Sequence, residues 1–242
     1  MAAHPPSRGV AVVVDVLSFT TTVSVALDRG VEVLPYPWAD GGAAVFAADR
    51  DATLAVGRSR ARPGQVSLSP STVRAAGPHL RRVVLPSPNG ATTAHRLADR
   101  VEVVVAGCLR NAGPVASWLT ERYGPDGVPV LLVPAGERSS RGRWRAAVED
   151  LWGAGAVVDG LRRHGWVGLS QEAAAAADAW DGVRDDVVRR LRDCASGREL
   201  TAMGFGGDVD VASEVSASVV VPRLVAGAFR DVGTRPAGTL GA

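Results

Sequence analysis

The feature that most constrains this chain is an alternation. Short valine-rich runs recur, each followed by an alanine- or leucine-rich segment of helical length. Residues 10–16 read Val-Ala-Val-Val-Val-Asp-Val, apolar throughout except for Asp15. A half-exposed strand would alternate apolar with polar; a continuous apolar run suits a strand buried on both faces. Residues 20–28 then read as a short helix stopped by Arg29-Gly30. The rhythm predicts further strands at 31–35, 53–56, 82–85, 101–106 and 128–134. It predicts helices at 39–50, 91–99, 111–122 and 145–163. Strands separated by helical segments mark βαβ units. The expected fold is therefore α/β, three layers (α/β/α) around a largely parallel or mixed central sheet. A single domain is expected over residues 1–242, with its core at about 9–222.

The rest of the chain is less rhythmic. Residues 57–69 carry Arg58, Arg60, Arg62, Pro63 and Gly64 with little that is apolar, and read as a loop. Residues 135–143 form a second polar loop. The stretch 170–211 looks mainly helical, interrupted by a loop at 195–198. A last strand is expected at 218–221, and the Gly-, Pro- and Thr-rich residues 226–242 read as a frayed tail.

Composition narrows the function. The formal net charge is only +2, and all 27 basic residues are arginine, interspersed with acids. Without a basic stripe or many aromatics to stack on bases, nucleic acid is not an expected partner. No run of 18 apolar residues predicts a membrane span, and the N-terminal residues lack the pattern of a signal peptide; the expected location is the cytoplasm. Cys108 and Cys194 have neither metal-site spacing nor the density of a disulfide framework. No Gly-x-x-x-x-Gly-Lys loop and no Gly-x-Ser-x-Gly elbow occurs. Leu17 stands where an aspartyl-phosphate phosphatase would carry the second acid of Asp-x-Asp, which argues against an aspartate nucleophile.

In open α/β sheets, ligands bind beyond the carboxyl ends of the strands. Four turns qualify here: 15–22 (Asp15 to Thr22), 87–93 (Ser87 to Thr93), 107–111 (Gly107 to Asn111) and 135–138 (Ala135 to Arg138). They are rich in hydroxyls and small residues. Where they open helices, free N–H groups suit phosphate or sulfonate oxygens. The candidates for binding a small anion are thus Thr20, Thr21, Thr22, Ser87, Asn89, Gly90 and Asn111. Asp15 ends an apolar strand, where a carboxylate requires a metal, a cation or backbone donors. Glu149 and Asp150 stand early in the long helix; about 100° apart, they cannot point the same way, but either could share an ion with Asp15. Mg²⁺ suits such a set, since it takes few carboxylates and keeps several waters.

Taken in order, these segments resemble one family. Asp15-Val16-Leu17-Ser18-Phe19-Thr20-Thr21-Thr22 is similar to its opening motif, and Pro88-Asn89-Gly90-Ala91-Thr92 to its Thr-Asn-Gly-Thr turn. Gly136-Glu137, Glu149-Asp150-Leu151 and Gly153-Ala154-Gly155 resemble its Gly-Glu, Glu-Asp and Ala-Gly stretch. Ser196-Gly197-Arg198-Glu199-Leu200, with Gly204 and Asp208-Val209, resembles its C-terminal signature. The family is the 2-phosphosulfolactate phosphatases of coenzyme M biosynthesis. The resemblance implies Mg²⁺-dependent hydrolysis of a phosphate monoester on a small sulfonated hydroxy acid. Asp15 with Glu149 or Asp150 would hold the metal, Asp15 or Glu137 would take the proton of the attacking water, and Arg198 would neutralise phosphoryl oxygens. Ser18 stands where the family often has arginine, and Ser87-Pro88-Asn89-Gly90-Ala91 replaces the threonine-flanked turn. A homodimer is the default expectation; a non-catalytic small-anion-binding protein on the same fold is the alternative.

Overall fold

A computed structural model describes residues 7–37, 41–138 and 142–233. The first valine run forms β1 (Ser7–Val14). Val10, Val12 and Val14 enter one buried cluster and Val13 another, so both faces are covered and the run has no reason to alternate. There follow α1 (Phe19–Asp28), β2 (Glu32–Pro37), α2 (Ala43–Ala48), β3 (Thr53–Leu54) and α3 (Pro70–Ala75). Ser69 caps α3, its Oγ accepting the Thr72 N–H. The alternation continues through β4 (Arg82–Ser87), α4 (Gly90–Ala98), β5 (Val101–Gly107), α5 (Ala112–Tyr123) and β6 (Val130–Pro134). A small ribbon, β7 (Glu137–Arg138) and β8 (Trp144–Arg145), leads into α6 (Val148–Arg163). Four helices, α7 (Gln171–Asp181), α8 (Val187–Asp193), α9 (Ala195–Ala202) and α10 (Gly206–Ala212), precede the hairpin β9 (Pro222–Val225) and β10 (Ala228–Asp231).

The eight-stranded sheet runs β3-β4-β2-β10-β9-β5-β1-β6. It consists of two parallel triplets, β3-β4-β2 and β5-β1-β6, joined by the antiparallel hairpin. One face of both triplets shares a single core. Val13, Val104, Ala106, Val33, Val83, Leu85 and Phe229 cluster there with Phe19 and Val23 of α1 and with Ala91 and Ala94 of α4. On the other face, Val10, Val12 and Val105 pack with Leu119 of α5 and Val157 and Leu161 of α6, while Leu34 and Val84 pack on Ala47 of α2. Helices cover both faces, giving the three-layer α/β fold with a mixed sheet. Because α1 and α4 share one core, the carboxyl ends of β1 and β4 meet: the Gly90 N–H donates to Asp15 Oδ2 at 2.8 Å.

Several expected boundaries are corrected. The tail expected from residue 226 holds β10, and 218–221 is not a strand. Ala226 and Gly227 both have positive φ (49° and 81°), the geometry of a two-residue hairpin loop whose twist matches its strands. This hairpin sits at the centre of the sheet, with Phe229 fully buried edge-on against Phe19. The loop expected at 195–198 is the start of α9. Its glycine serves close packing: a Cβ on Gly197 would stand 1.8 Å from the Leu191 carbonyl oxygen. The long helix begins at Val148 rather than Arg145, because Trp144 and Arg145 pair with Arg138 and Glu137 in the ribbon. The helix expected at 39–50 is Ala43–Ala48, residues 38–40 lying outside the described residues. Among the described residues, no helix is long and apolar enough to cross a membrane.

Candidate active site

The site gathers around Asp15, the first residue beyond β1. Asp15 is buried, and its two carboxylate oxygens accept the N–H groups of Phe19 (3.0 Å) and Gly90 (2.8 Å). The N-termini of α1 and α4 therefore converge on this carboxylate. The free amides that the sequence offered to a phosphate are already engaged by a protein anion. Gly90 is required by that approach: a Cβ there would meet the Phe19 ring at 2.4 Å and Asp15 Oδ2 at 2.7 Å. Burial pushes the Asp15 carboxyl up to about 6; the Glu137 carboxylate adds to the rise, while the Phe19 and Gly90 amides and the Arg58 cation oppose it.

Asp150, in the first turn of α6, mirrors Asp15. Its oxygens accept the N–H groups of Val16 (2.8 Å) and Gly136 (2.9 Å), tying α6 to the loops after β1 and β6. Gly136 has φ +68°, and a Cβ on it would strike the Trp144 indole. Burial, then the neighbouring Asp15 and Glu149 carboxylates, hold the Asp150 carboxyl well above the usual range. Glu149 is equally buried, but among the described residues its Oε2 has no hydrogen-bond partner. As the helical offset requires, it points elsewhere, towards Cys194, whose thiol burial and Glu149 together push up to about 12.

Glu137 stands at the rim. Its Oε1 accepts the side-chain N–H of Asn89 (2.9 Å) and the backbone N–H of Arg138 (3.1 Å). Asn89 Oδ1 in turn accepts the Arg138 N–H at 3.1 Å, so the turn after β4 is latched to the ribbon after β6. Beside Glu137 opens a cavity of about 440 Å³, lined by Arg138, Arg143, Trp144, Arg145 and Glu199. None of these arginines stood out in the sequence, because an all-arginine basic set gives no contrast between surface positions and binding ones. A larger cavity of about 760 Å³ lies near α2, with Tyr36, Leu54, Val56 and Pro86 on its walls and no acid among its lining residues.

Other expected binding residues are placed nearby but occupied. The hydroxyls of Thr20, Thr21 and Thr22 donate to the carbonyls of Asp15 (2.8 Å), Val16 (2.8 Å) and Ser18 (2.7 Å). All three threonines are buried. They shape the loop that presents Asp15. Ser87 is buried and its Oγ accepts the Asn89 N–H at 3.3 Å. Asn111 is a structural latch: Oδ1 accepts the Cys108 N–H at 2.8 Å, and Nδ2 donates to the carbonyls of Ala106 and Val220. Arg198 is not brought to the carboxylates; its guanidinium donates to the Asp193 carbonyl, and it lines a separate cavity with Arg192, Thr201 and Asp210. The cation that does approach is Arg58, from the polar loop at 57–69: it bonds Ser18 Oγ and Asp208.

Donor chemistry at Asp15 and Asp150 is hard oxygen, with crowded negative charge around both carboxyls. That fits Mg²⁺. No three His, Cys, Asp or Glu side chains among the described residues converge to hold an ion by themselves. The fit is therefore to the sparse mode of Mg²⁺ binding, with one or two carboxylates completed by water and substrate oxygens.

Residues 2–227 match the family described as 2-phosphosulpholactate phosphatase. A probable 2-phosphosulfolactate phosphatase of Deinococcus radiodurans is 32% identical, covering 98% of this chain and 94% of that protein. A probable 2-phosphosulfolactate phosphatase of Thermus thermophilus is 30% identical, over 91% of this chain and 90% of that protein. The 2-phosphosulfolactate phosphatase of Methanothermobacter thermautotrophicus is 30% identical, over 86% and 83%. With the match spanning nearly the whole chain, this protein belongs to the 2-phosphosulfolactate phosphatase family.

Proposed function

We propose that this protein hydrolyses the phosphate monoester of a small sulfonated hydroxy acid, 2-phosphosulfolactate, in a Mg²⁺-dependent reaction. The observation that carries the reading is the buried carboxyl pair Asp15 and Asp150, whose repulsion is offset only in part by Arg58, in a chain of this family. Asp15 with Asp150 would hold the ion, which would supply Lewis-acid polarisation of the phosphoryl oxygens; Glu149, turned towards Cys194, is not placed to share it. The backbone amides of Phe19 and Gly90 fix the Asp15 carboxylate, so it needs no reorganisation when substrate arrives. Glu137, at the mouth of the 440 Å³ cavity, accepts the proton of the attacking water; its Oε1 is pinned by Asn89 and Arg138, which orients the other oxygen. The cavity's arginines receive the second anionic group of the substrate.

The test is phosphate release from 2-phosphosulfolactate and from its carboxylate analogue, with Mg²⁺ and with EDTA. Metal-dependent turnover of the sulfonated ester is expected. Turnover of the carboxylate analogue alone would move the substrate and keep the chemistry. A folded protein that releases phosphate from neither ester would contradict the reading.

A further inference from the structure

Arg58 lies in the loop between β3 and α3, in a short 3₁₀ turn, Arg58–Arg60. Its Nε donates to Asp208 Oδ2 at 3.1 Å and its Nη2 to Ser18 Oγ. Ser18 belongs to the loop that leaves Asp15, and the Asp15 carboxyl feels the Arg58 charge. Among the described residues Nη1 has no partner, and the side chain is 18% exposed. The Nε–Nη2 edge of the guanidinium is thus held against Asp208 and the loop that leaves Asp15, and the side chain keeps part of its surface exposed.

Asp208 is the reason Arg58 stands there. It is only 2% exposed, and its Oδ1 accepts the Ser69 hydroxyl at 2.5 Å and the Ser71 N–H at 3.4 Å. A carboxylate buried to this degree is a poor stabilising device, because its desolvation cost offsets much of what the ion pair returns. What it supplies is position. A long flexible side chain in a polar loop is held to one geometry by a carboxylate that is itself fixed by the entry to α3. Asp208 and Arg58 are 150 positions apart in the chain, so the loop's location depends on this link across the fold.

We propose that Arg58 is the phosphate-binding cation of the site and that Asp208 is its positioning residue. Arg58 contacts a non-bridging oxygen of the phosphate monoester through Nη1, and Asp208 keeps the guanidinium turned to it. The assignment rests on the hydrolytic reading above. It places on the β3–α3 loop the role that the C-terminal arginine was expected to fill.

The probe is inorganic phosphate, the reaction product, titrated calorimetrically into the full-length protein with Mg²⁺ present and measured again as a competitive inhibitor. Arg58→Gln is expected to weaken phosphate binding about tenfold or more, the scale of a lost charge-assisted hydrogen bond. Asp208→Asn is expected to weaken it roughly fivefold. Since Asp208 acts through Arg58, the double variant should be no weaker than Arg58→Gln within about twofold. Arg58→Lys keeps the charge and loses the fork; it is expected to bind phosphate roughly fivefold more weakly, and it decides the matter should Asp208→Asn fail to fold. Wild-type affinity in Asp208→Asn or Arg58→Lys, or additive effects in the double variant, would overturn the positioning role. Wild-type affinity in Arg58→Gln would overturn the anion contact while leaving hydrolysis intact. A wild-type protein that neither binds phosphate nor releases it from an ester would take down both readings.

Discussion

Two ionic clusters in this molecule, each built on buried charge, look alike in composition and differ in balance. In the first, Arg110 is nearly inaccessible, and each face of its guanidinium is answered. Nε donates to Ser24 Oγ (3.1 Å), Nη2 to Asp28 (2.8 Å) and Nη1 to Glu214. Arg74 grips Glu214 through two 2.7 Å hydrogen bonds, and Ser218 donates to Asp28 at 2.7 Å. Two cations face two anions, and the cluster ties α1, α3 and the segment after α10 together. In the second, Asp15, Asp150, Glu149 and Glu137 crowd at the carboxyl ends of β1, β4 and β6, and the one cation among the described residues that bears on Asp15, Arg58, is shared with Asp208. Backbone amides satisfy the hydrogen-bonding of Asp15 and Asp150 without cancelling their charge. A balanced buried cluster holds the fold. An unbalanced one costs the fold stability and is retained for what it binds.

The comparison can be broken most sharply at Asp15. Asp15→Asn keeps the shape and removes the charge; phosphate release should fall roughly 10³-fold, measured as kcat with saturating Mg²⁺. Glu137→Gln, at the rim, should lower kcat by about 10²-fold while leaving Mg²⁺ affinity within a few-fold. At the balanced cluster the expected signature is reversed. Arg110→Ala leaves Asp28 without its cation and Glu214 with Arg74 alone, and should cost about 2 kcal/mol in denaturant unfolding. Its kcat per folded molecule should stay within about twofold of wild type.

A further difference between the clusters lies in their pH dependence. The Asp15 carboxyl lies at about 6 against an ordinary 3.8, so between those values the folded state binds a proton that the unfolded state does not. Stability from this group therefore falls as pH rises from about 4 to about 7, by up to about 3 kcal/mol in the metal-free protein. Asp150, raised for the same reasons, acts in the same direction. Glu214 has the opposite sign: its hydrogen bonds to Arg74 lower it, so its contribution is complete above the usual glutamate range and is lost as pH falls through the lowered value. Melting of metal-free protein should thus be several degrees higher near pH 5 than near pH 7.5, and Asp15→Asn should flatten that slope. A melting temperature that rises from pH 5 to pH 7.5 would contradict the sign.

Much of the fold was legible because burial on both faces leaves a direct trace. The run at 10–16 has no polar alternation, and it became a central strand. Asp15 was legible for the converse reason, as a carboxylate ending such a run. What sequence could not supply was direction and distance. The hydroxyls of Thr20, Thr21 and Thr22 look like an anion cradle, yet all three turn to nearby carbonyls. Asn111 looks like a turn donor, yet it is consumed by Cys108, Ala106 and Val220. Ser196-Gly197 reads as a loop because glycine marks both flexible turns and close contacts, and here it marks a contact. The β9–β10 hairpin was hidden by Ala226-Gly227, which look like the start of a tail and form the turn. Asp208 was visible in the C-terminal signature and Arg58 in a polar loop, but only the fold joins them, so no local pattern announces the pair.

The most direct test of the unbalanced cluster is thermal melting at pH 7.5, with and without Mg²⁺, for the wild-type protein and Asp15→Asn. The account predicts that Mg²⁺ raises the melting temperature of the wild type by several degrees and leaves Asp15→Asn unchanged, since an ion that binds only the folded carboxylates stabilises by mass action. No shift in the wild type, or an equal shift in both proteins, would contradict it.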